Sequence, residues 1–129
     1  MTEIPRIQTL RKHERLYEKK AMELVFQKGN SINNPPIKLL WIVEKNKSNV
    51  PVKVAFTAPK RAFKKAVTRN LLKRRMREAY RKNKISKTPS GETYSLIFIY
   101  TAYKINPYEE IASKIVLTLQ HFKTATGAE

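Results

Sequence analysis

A strongly basic segment lies between two apolar segments that are typical of β-strands, and this order limits how the chain can fold. The basic segment extends from Lys60 to Lys82 and holds 11 of the 27 lysines and arginines, but only one acid, Glu78. Its few apolar residues recur at the period of an α-helix, so one face can pack on a core while the rest carries charge. If the flanking strands, 52–58 and 94–100, are parallel neighbours, the basic helix is the crossover connection between them.

The helical projection separates two faces of this segment. At about 100° per residue, Leu72, Met76 and Ala79 fall on one side with Tyr80 at the edge, and we expect this stripe to face the core. The opposite sector is basic. Like charges four residues apart destabilise an isolated helix, which indicates a partner that neutralises them, and the stripe is too narrow for a membrane-surface or calmodulin-binding helix. Contacts with nucleic-acid phosphates are predicted for Lys73, Arg74, Arg77 and Arg81, with Asn70 as a hydrogen-bonding member.

The composition agrees with a polyanionic partner. The chain of 129 residues has a formal net charge of +17 and a pI near 10.3, a surplus that destabilises the fold by self-repulsion unless a partner neutralises it. There is no cysteine, hence no disulfide framework and no thiolate zinc site. No apolar run approaches the ~20 residues of a spanning helix, and the first residues lack the apolar centre of a signal peptide. We expect a cytoplasmic protein with no membrane partner.

The acidic residues and histidines argue against chemistry by the chain itself. The sequence contains no aspartate, and its ten glutamates are scattered, whereas metal-dependent nucleases cluster carboxylates around their ions. His13 and His121 are far apart, and neither has a neighbour at metal-ligand spacing. The sequence therefore predicts no catalytic side chain and no metal or cofactor bound by the protein itself, and it disfavours an autonomous nuclease.

The remaining segments predict an α+β fold, a single αβ sandwich with the element order α-β-β-α-β-α. A short helix, Lys19 to Lys28, should end at a left-handed Gly29. The strands 37–44 and 52–58 are predicted to form a hairpin. Asn106 should cap a last helix that ends near Phe122.

Three regions are expected along the chain. Residues 1–15 are predicted to form a flexible basic arm, residues 16–123 the αβ domain, and residues 124–129 a frayed tail. A strand–helix–strand crossover of this kind is right-handed in nearly all proteins.

The basic segment also carries a motif. It reads AVTRNLLKRRMREAYR from Ala66 to Arg81, and the whole run is specific where a lone Arg-Asn pair would mean little. It resembles the signature of the bacterial ribonuclease P protein component, A-V-x-R-N-x-x-K-R-x-x-R-E followed by an aromatic and a basic residue. The resemblance covers roughly Leu10 to Lys123. The chain departs from it at Leu71, where many members have a third basic residue, and it lacks the glycine of the Lys-Lys-x-Gly-x run that often follows the second strand.

This resemblance implies a function and a fold. Ribonuclease P hydrolyses one phosphodiester bond to remove the 5′ leader from precursor tRNA, and in bacteria the catalyst is its RNA subunit, whose bound Mg²⁺ activates water. The protein component binds that RNA and holds the single-stranded leader in a cleft between the sheet and the first helix. By resemblance, this chain is the protein subunit of that endoribonuclease, in a 1:1 complex with the RNA. The implied fold has a left-handed crossover, against the general rule.

The resemblance extends the candidate site beyond the projected helix face. The RNA-binding set becomes Lys60, Arg61, Lys64, Lys65, Arg69, Asn70, Lys73, Arg74, Arg77 and Arg81. The leader cleft is assigned to Met22, Phe26, Lys38, Leu40 and Thr57. Met22 stands where the family usually has a stacking aromatic, although a thioether can still pack on a base.

The strand residues divide between core and cleft. Ala55 and Thr57 alternate with the bulkier Val54 and Phe56, so the smaller set would line a groove. Trp41 is either core or cleft, with core the default for an aromatic on a strand. An alternative function of a different class also stays open, that of a ribosomal or other structured-RNA-binding protein with no role in a reaction.

Overall fold

The computed structural model describes residues 14–45, 50–89 and 91–129, except for the side chain of Lys45. The predicted flexible arm lies almost wholly outside these ranges. The helices and strands within them are α1 (Lys19–Lys28), β1 (Asn30–Asn34), β2 (Ile37–Lys45), β3 (Val52–Thr57), α2 (Ala66–Lys82), β4 (Glu92–Tyr100) and α3 (Tyr108–Thr126).

The strands form one mixed sheet in the order β1-β2-β4-β3. β2 pairs antiparallel with β1 and with β4, and β3 pairs parallel with β4. Because α2 joins the parallel pair, the predicted crossover connection is confirmed, while its handedness stays a prediction. The central strand β4 is buried along most of its length, as expected for its uninterrupted apolar sequence.

The predicted hairpin between the strands at 37–44 and 52–58 is wrong, because β4 is inserted between β2 and β3. β2 forms its hairpin with β1 instead, a strand of sequence NSINN that was not predicted. β1 lies at the edge of the sheet with mostly exposed side chains. It therefore lacks the apolar alternation by which strands are recognised in a sequence.

Helices cover both faces of the sheet, which confirms the αβ sandwich. On one face, α2 and α3 enclose the larger core, which includes Met76 and Phe98. On the other face, α1 encloses a smaller core around Val25 and Ile97. The sheet thus separates the basic helix from α1.

Gly29 ends α1, but not in the predicted left-handed conformation. Its φ of −69° and ψ of 145° are extended. A Cβ at this position would lie 2.3 Å from the carbonyl oxygen of Val25 and 3.4 Å from the backbone nitrogen of Trp41. The carbonyl of Val25 in α1, rather than a positive φ, requires glycine here, because a Cβ would clash with it.

The last helix begins after the predicted cap. α3 starts at Tyr108, and Asn106 does not cap it. Asn106 is buried instead, where its side chain accepts a hydrogen bond from the Tyr100 hydroxyl and donates one to Glu110. The hydroxyl of Tyr100 also forms hydrogen bonds with the backbone of the loop between β4 and α3, which hold this loop in place.

The end of α3 also differs from the prediction. The helix continues past Phe122 to Thr126, where Gly127 (φ 79°) ends it in the left-handed conformation. The residues that follow contact the rest of the protein. Ala128 is buried, and the backbone of Glu129 exchanges hydrogen bonds with that of Lys87.

Candidate nucleic-acid interface

The α2 helix turns a narrow apolar stripe towards the sheet, as predicted. Leu72, Met76 and Ala79 are fully buried, and Tyr80 is nearly so. The Tyr80 ring packs against Phe56 of β3 with 6.1 Å between ring centroids. Burial of this stripe fixes the rotation of the helix and therefore decides which side chains face outwards.

The opposite face of α2 carries most of the predicted phosphate contacts. Asn70, Arg74 and Arg77 are exposed, and Lys73 is half-buried. Within the described residues, no acidic side chain forms an ion pair with Lys73, Arg74 or Arg77. Their charges are therefore available to an external anion, and their spacing of three and four residues places them on one side of the helix.

Arg81 differs from these cations because it is paired within the protein. Its guanidinium donates two hydrogen bonds to Glu78, at 3.0 and 2.6 Å. This hydrogen bond lowers the pKa of Glu78 and raises the pKa of Arg81, so both groups stay charged. Since Lys82 also lies 3.9 Å from Glu78, the single acid of the segment partly neutralises the C-terminal end of the basic face.

Arg69 also has a partner within the protein. Its Nη1 atom donates to the carbonyl oxygens of Phe63 and Lys64, both at 2.8 Å. These bonds fold the turn that joins β3 to α2 back onto the helix. The role of Arg69 as a phosphate contact stays a prediction, and its role in shaping the turn is visible in the structure.

The turn before α2 extends the positive surface. It carries four exposed basic side chains, at positions 60, 61, 64 and 65. Phe63 is buried between them and packs on Tyr100, with 5.8 Å between ring centroids. The buried ring anchors the turn to the larger core, so these cations lie just beyond the end of β3.

Arg75 is a basic residue of α2 to which the sequence assigned no role. Its Nη1 atom donates to the carbonyl oxygen of Asn106 at 2.7 Å, which ties α2 to the loop before α3. Nothing in the helical period distinguishes Arg75 from its neighbours, because its partner lies 31 positions along the chain.

On the other face of the sheet, α1 crosses the strands. Before it, the N–H of Leu16 donates to the carbonyl of Val54 in β3 at 2.8 Å. After it, Asn30 of β1 pairs with Trp41 of β2. Between these points the buried Val25 packs on the sheet. The helix therefore covers the middle of the strands and runs from one edge of the sheet to the other.

The two sides of α1 face different ends of the strands. Ala21 lines a small cavity together with Lys53 and Ser95 at one end. Met22 and Phe26 lie about 100° and 140° around the helix from Ala21, so they face the opposite end. Phe26 is 50% exposed, so it is accessible to a ligand.

At that opposite end, the strand register aligns side chains in a row beside α1. Lys38 of β2 lies opposite Ile99 of β4, and Thr57 of β3 is the next member. All three are half-buried. Leu40, one row further in, packs on the α1 core. The five predicted cleft residues thus lie on α1 or on the sheet face that α1 covers. We call this surface beside α1 the groove, and its contact with a leader stays a prediction.

The division of strand residues between the two faces also agrees with the sequence. On β3, Ala55 belongs to the α1 core and Val54 to the larger core. Trp41 also lies on the side of the larger core, where its ring centroid is 5.4 Å from that of Phe122. Trp41 is therefore a core residue and not part of the groove.

Sequence comparison identifies the family. The family model described as Ribonuclease P matches residues 10–123. This chain belongs to the ribonuclease P protein family. The ribonuclease P protein component of Chlorobium phaeobacteroides is 41% identical over 81 residues, which are 60% of this chain and 56% of that protein. That of Porphyromonas gingivalis is 33% identical over 75 residues, 58% of this chain and 55% of that protein. The match thus spans little more than half the length of these relatives.

Solved structures of the family have the same fold. The ribonuclease P protein of Staphylococcus aureus superposes with a TM-score of 0.67 at 21% identity, over 85% of this chain and 95% of that one. The protein from Thermotoga maritima gives 0.63 at 24% identity, over 84% and 96%. At these identities the likeness concerns the fold, and it supports the mixed sheet with helices on both faces.

The described residues contain neither a cluster of metal ligands nor a helix that could span a membrane. No group of three or more histidine, aspartate or glutamate side chains in residues 14–45, 50–89 and 91–129 could hold a metal ion. Among the helices described, none combines the length and apolar character needed to cross a membrane.

Proposed function

We propose that this chain is the RNA-binding protein subunit of ribonuclease P and that it helps the catalytic RNA remove the 5′ leader from precursor tRNA. The observation that carries the proposal is the outward face of α2, where Lys73, Arg74 and Arg77 have no acidic partner among the described residues. Unpaired cations at helical spacing suit a phosphate backbone. Because the chain belongs to the ribonuclease P protein family, we expect this face to bind the RNA subunit of ribonuclease P.

The groove beside α1 supports the second half of the proposal. A single-stranded leader is bound by stacking surfaces next to positive charge. Phe26 offers a half-exposed ring, and Lys38 offers an ammonium group on the floor of the groove. The basic turn lies at the end of β3, so Lys60 and Arg61 continue the positive surface out of the groove.

In this proposal the protein positions RNA and the RNA subunit performs the hydrolysis. Mg²⁺ held by the RNA subunit would activate the attacking water. The chain itself supplies binding and orientation: α2 docks on the RNA subunit, and the groove holds the leader. We further propose a 1:1 complex in the cytoplasm.

Reconstitution tests the proposal. The purified protein is combined with a bacterial ribonuclease P RNA and a 5′-extended precursor tRNA at low (~millimolar) Mg²⁺, where RNA-only catalysis is weak because cations must screen both RNAs. The proposal predicts faster removal of the leader than with the RNA alone, and no cleavage by the protein alone. Binding to the RNA without acceleration would instead indicate a structured-RNA-binding protein with no role in the reaction.

A further inference from the structure

The row of side chains beside α1 does not stop at Lys38. Strand β1 extends the sheet by one position beyond β2, and Asn33 of β1 lies opposite Lys38 in the register. The row on the floor of the groove is therefore four strands wide, from Asn33 through Lys38 and Ile99 to Thr57. Asn33 was not predicted to belong to any site, because β1 was not predicted.

The neighbours of Asn33 show which face its side chain occupies. Ile32 packs against the larger core, and the amide of Asn34 donates to Thr118 of α3 at 3.1 Å. Since successive side chains on a strand point to opposite faces, Asn33 points to the α1 face. Its partner Lys38 points the same way, because Leu40, two residues on, packs in the α1 core.

The dimensions of the row suit a stretch of single-stranded RNA. Neighbouring strands lie about 4.8 Å apart, so Asn33 and Thr57 are separated by roughly 14 Å across three strand spacings. A stacked nucleotide advances by about 3.4 Å along its strand. The row therefore has room for several nucleotides, and a leader that enters near Thr57 and the basic turn would run along α1 towards β1.

The side chains along this path differ in chemistry. Thr57 and Lys38 offer a hydroxyl and an ammonium group, and Ile99 offers apolar surface. Asn33 is the member of the row with an amide, which carries a hydrogen-bond donor and an acceptor side by side. It is exposed, so its amide is accessible to a ligand in the groove. A paired donor and acceptor matches the edge of a nucleobase rather than a phosphate.

We infer that Asn33 forms a base-binding subsite at the β1 end of the groove, where its amide hydrogen-bonds the edge of one leader nucleotide. This inference rests on the proposed function, since it assigns a further position to the same leader. The subsite binds a base edge and lies apart from Phe26, which binds a base face. Its removal should therefore affect one nucleotide position, and a different one from that affected by loss of Phe26.

An abasic scan of the leader tests the inference. In the reconstituted holoenzyme, affinity is measured for precursor tRNAs in which each leader nucleotide in turn lacks its base. Wild-type protein should lose about 3- to 10-fold in affinity at the subsite position, the range expected for hydrogen bonds to one base. In Asn33→Ala, removal of the base at the subsite position should no longer lower the affinity. Removal of the base that stacks on Phe26 should still lower it.

Asn30 provides a matched control on the same strand. It is also an exposed asparagine, but it pairs with Trp41 and so points to the opposite face of the sheet. The scan with Asn30→Ala should match that of the wild type. A further variant, Asn33→Asp, keeps the size of the side chain but replaces the donor by a negative charge, and should bind the precursor more weakly than Asn33→Ala.

Three outcomes would decide against the inference. Identical scans for wild type and Asn33→Ala would overturn it. If the holoenzyme in that case still preferred precursor over mature tRNA, the proposed function would stand without the subsite. An equal loss at every leader position in Asn33→Ala would also overturn it, because that pattern indicates a disturbed fold. If the wild-type holoenzyme showed no preference for precursor over mature tRNA, the leader groove itself would be refuted, and the subsite with it.

Discussion

The arginines of α2 divide into those that hold the fold and those that face outwards. Arg69 and Arg75 donate to backbone carbonyls of neighbouring loops, and Arg81 pairs with Glu78. Arg74 and Arg77 are exposed and have no acidic partner in the part of the chain that the structure describes. Substitutions at these two groups should therefore have different consequences.

Loss of one outward cation should change the salt dependence of RNA binding. Arg77→Ala or Lys73→Ala should weaken binding to ribonuclease P RNA and reduce the slope of log K against log salt by about one unit per lost phosphate contact. The slope is measured by titration over a range of salt concentrations. Lys87→Ala is the control, because Lys87 is 77% exposed at the side chain but lies beside Glu129 and outside α2. Unchanged slopes in both α2 variants would mean that this face does not dock on the RNA.

The sequence predicts the direction of a side chain on a helix better than it predicts its partner. The period of 3.6 residues was enough to orient Leu72, Met76 and Ala79 inwards and Arg77 outwards. The hydrogen bond from Arg75 to Asn106 depends on where a distant loop lies, so no local pattern could reveal it.

At the scale of elements, the stability of α2 on the sheet depends on its narrow stripe. Leu72→Ala should lower the free energy of unfolding by about 2–5 kcal/mol, because it leaves a cavity in a fully buried site. The adjacent Leu71→Ala should cost clearly less, since Leu71 is only half-buried and loses less transfer free energy. Urea unfolding of both variants measures the difference. Equal losses would show that the helix is rotated from the orientation described.

Strand pairing is the part of the fold that the sequence predicted least well. Consecutive strands usually pair, and this rule gave a hairpin between β2 and β3. In the structure β4 lies between these two strands, because its apolar side chains on both faces are buried only in a central position. β1 was missed for the opposite reason, since a polar edge strand shows no hydrophobic pattern. Because β1 was not predicted, Asn33 was also not recognised as the fourth position of the groove.

For the molecule as a whole, the sheet separates two candidate RNA surfaces. The basic face of α2 lies over one side, and the groove beside α1 lies on the other. The basic turn at residues 60–65 joins them at the end of β3. One molecule can therefore contact the RNA subunit and the leader at the same time, which is what positioning a substrate requires.

The charge of the whole molecule leads to a prediction about anions. With a formal net charge of +17, sulfate or phosphate that binds the folded state should raise the melting temperature. Thermal unfolding in sulfate is compared with unfolding in chloride at the same ionic strength, so that general screening is matched. The shift should be smaller in an Arg74→Ala, Arg77→Ala double variant. No difference between the two salts would refute anion binding to the folded protein.

The assignment of two surfaces to two RNAs is tested most directly by the affinity of the holoenzyme for precursor and for mature tRNA after Phe26→Ala. Phe26→Ala should weaken binding of the precursor alone, by about 1–3 kcal/mol for the loss of one base stack, with mature tRNA and RNA-subunit binding unchanged. Tyr17→Ala removes another exposed aromatic, on the other side of α1, and should leave both tRNA affinities unchanged. An equal loss for precursor and mature tRNA in Phe26→Ala would contradict the assignment of the leader to the groove.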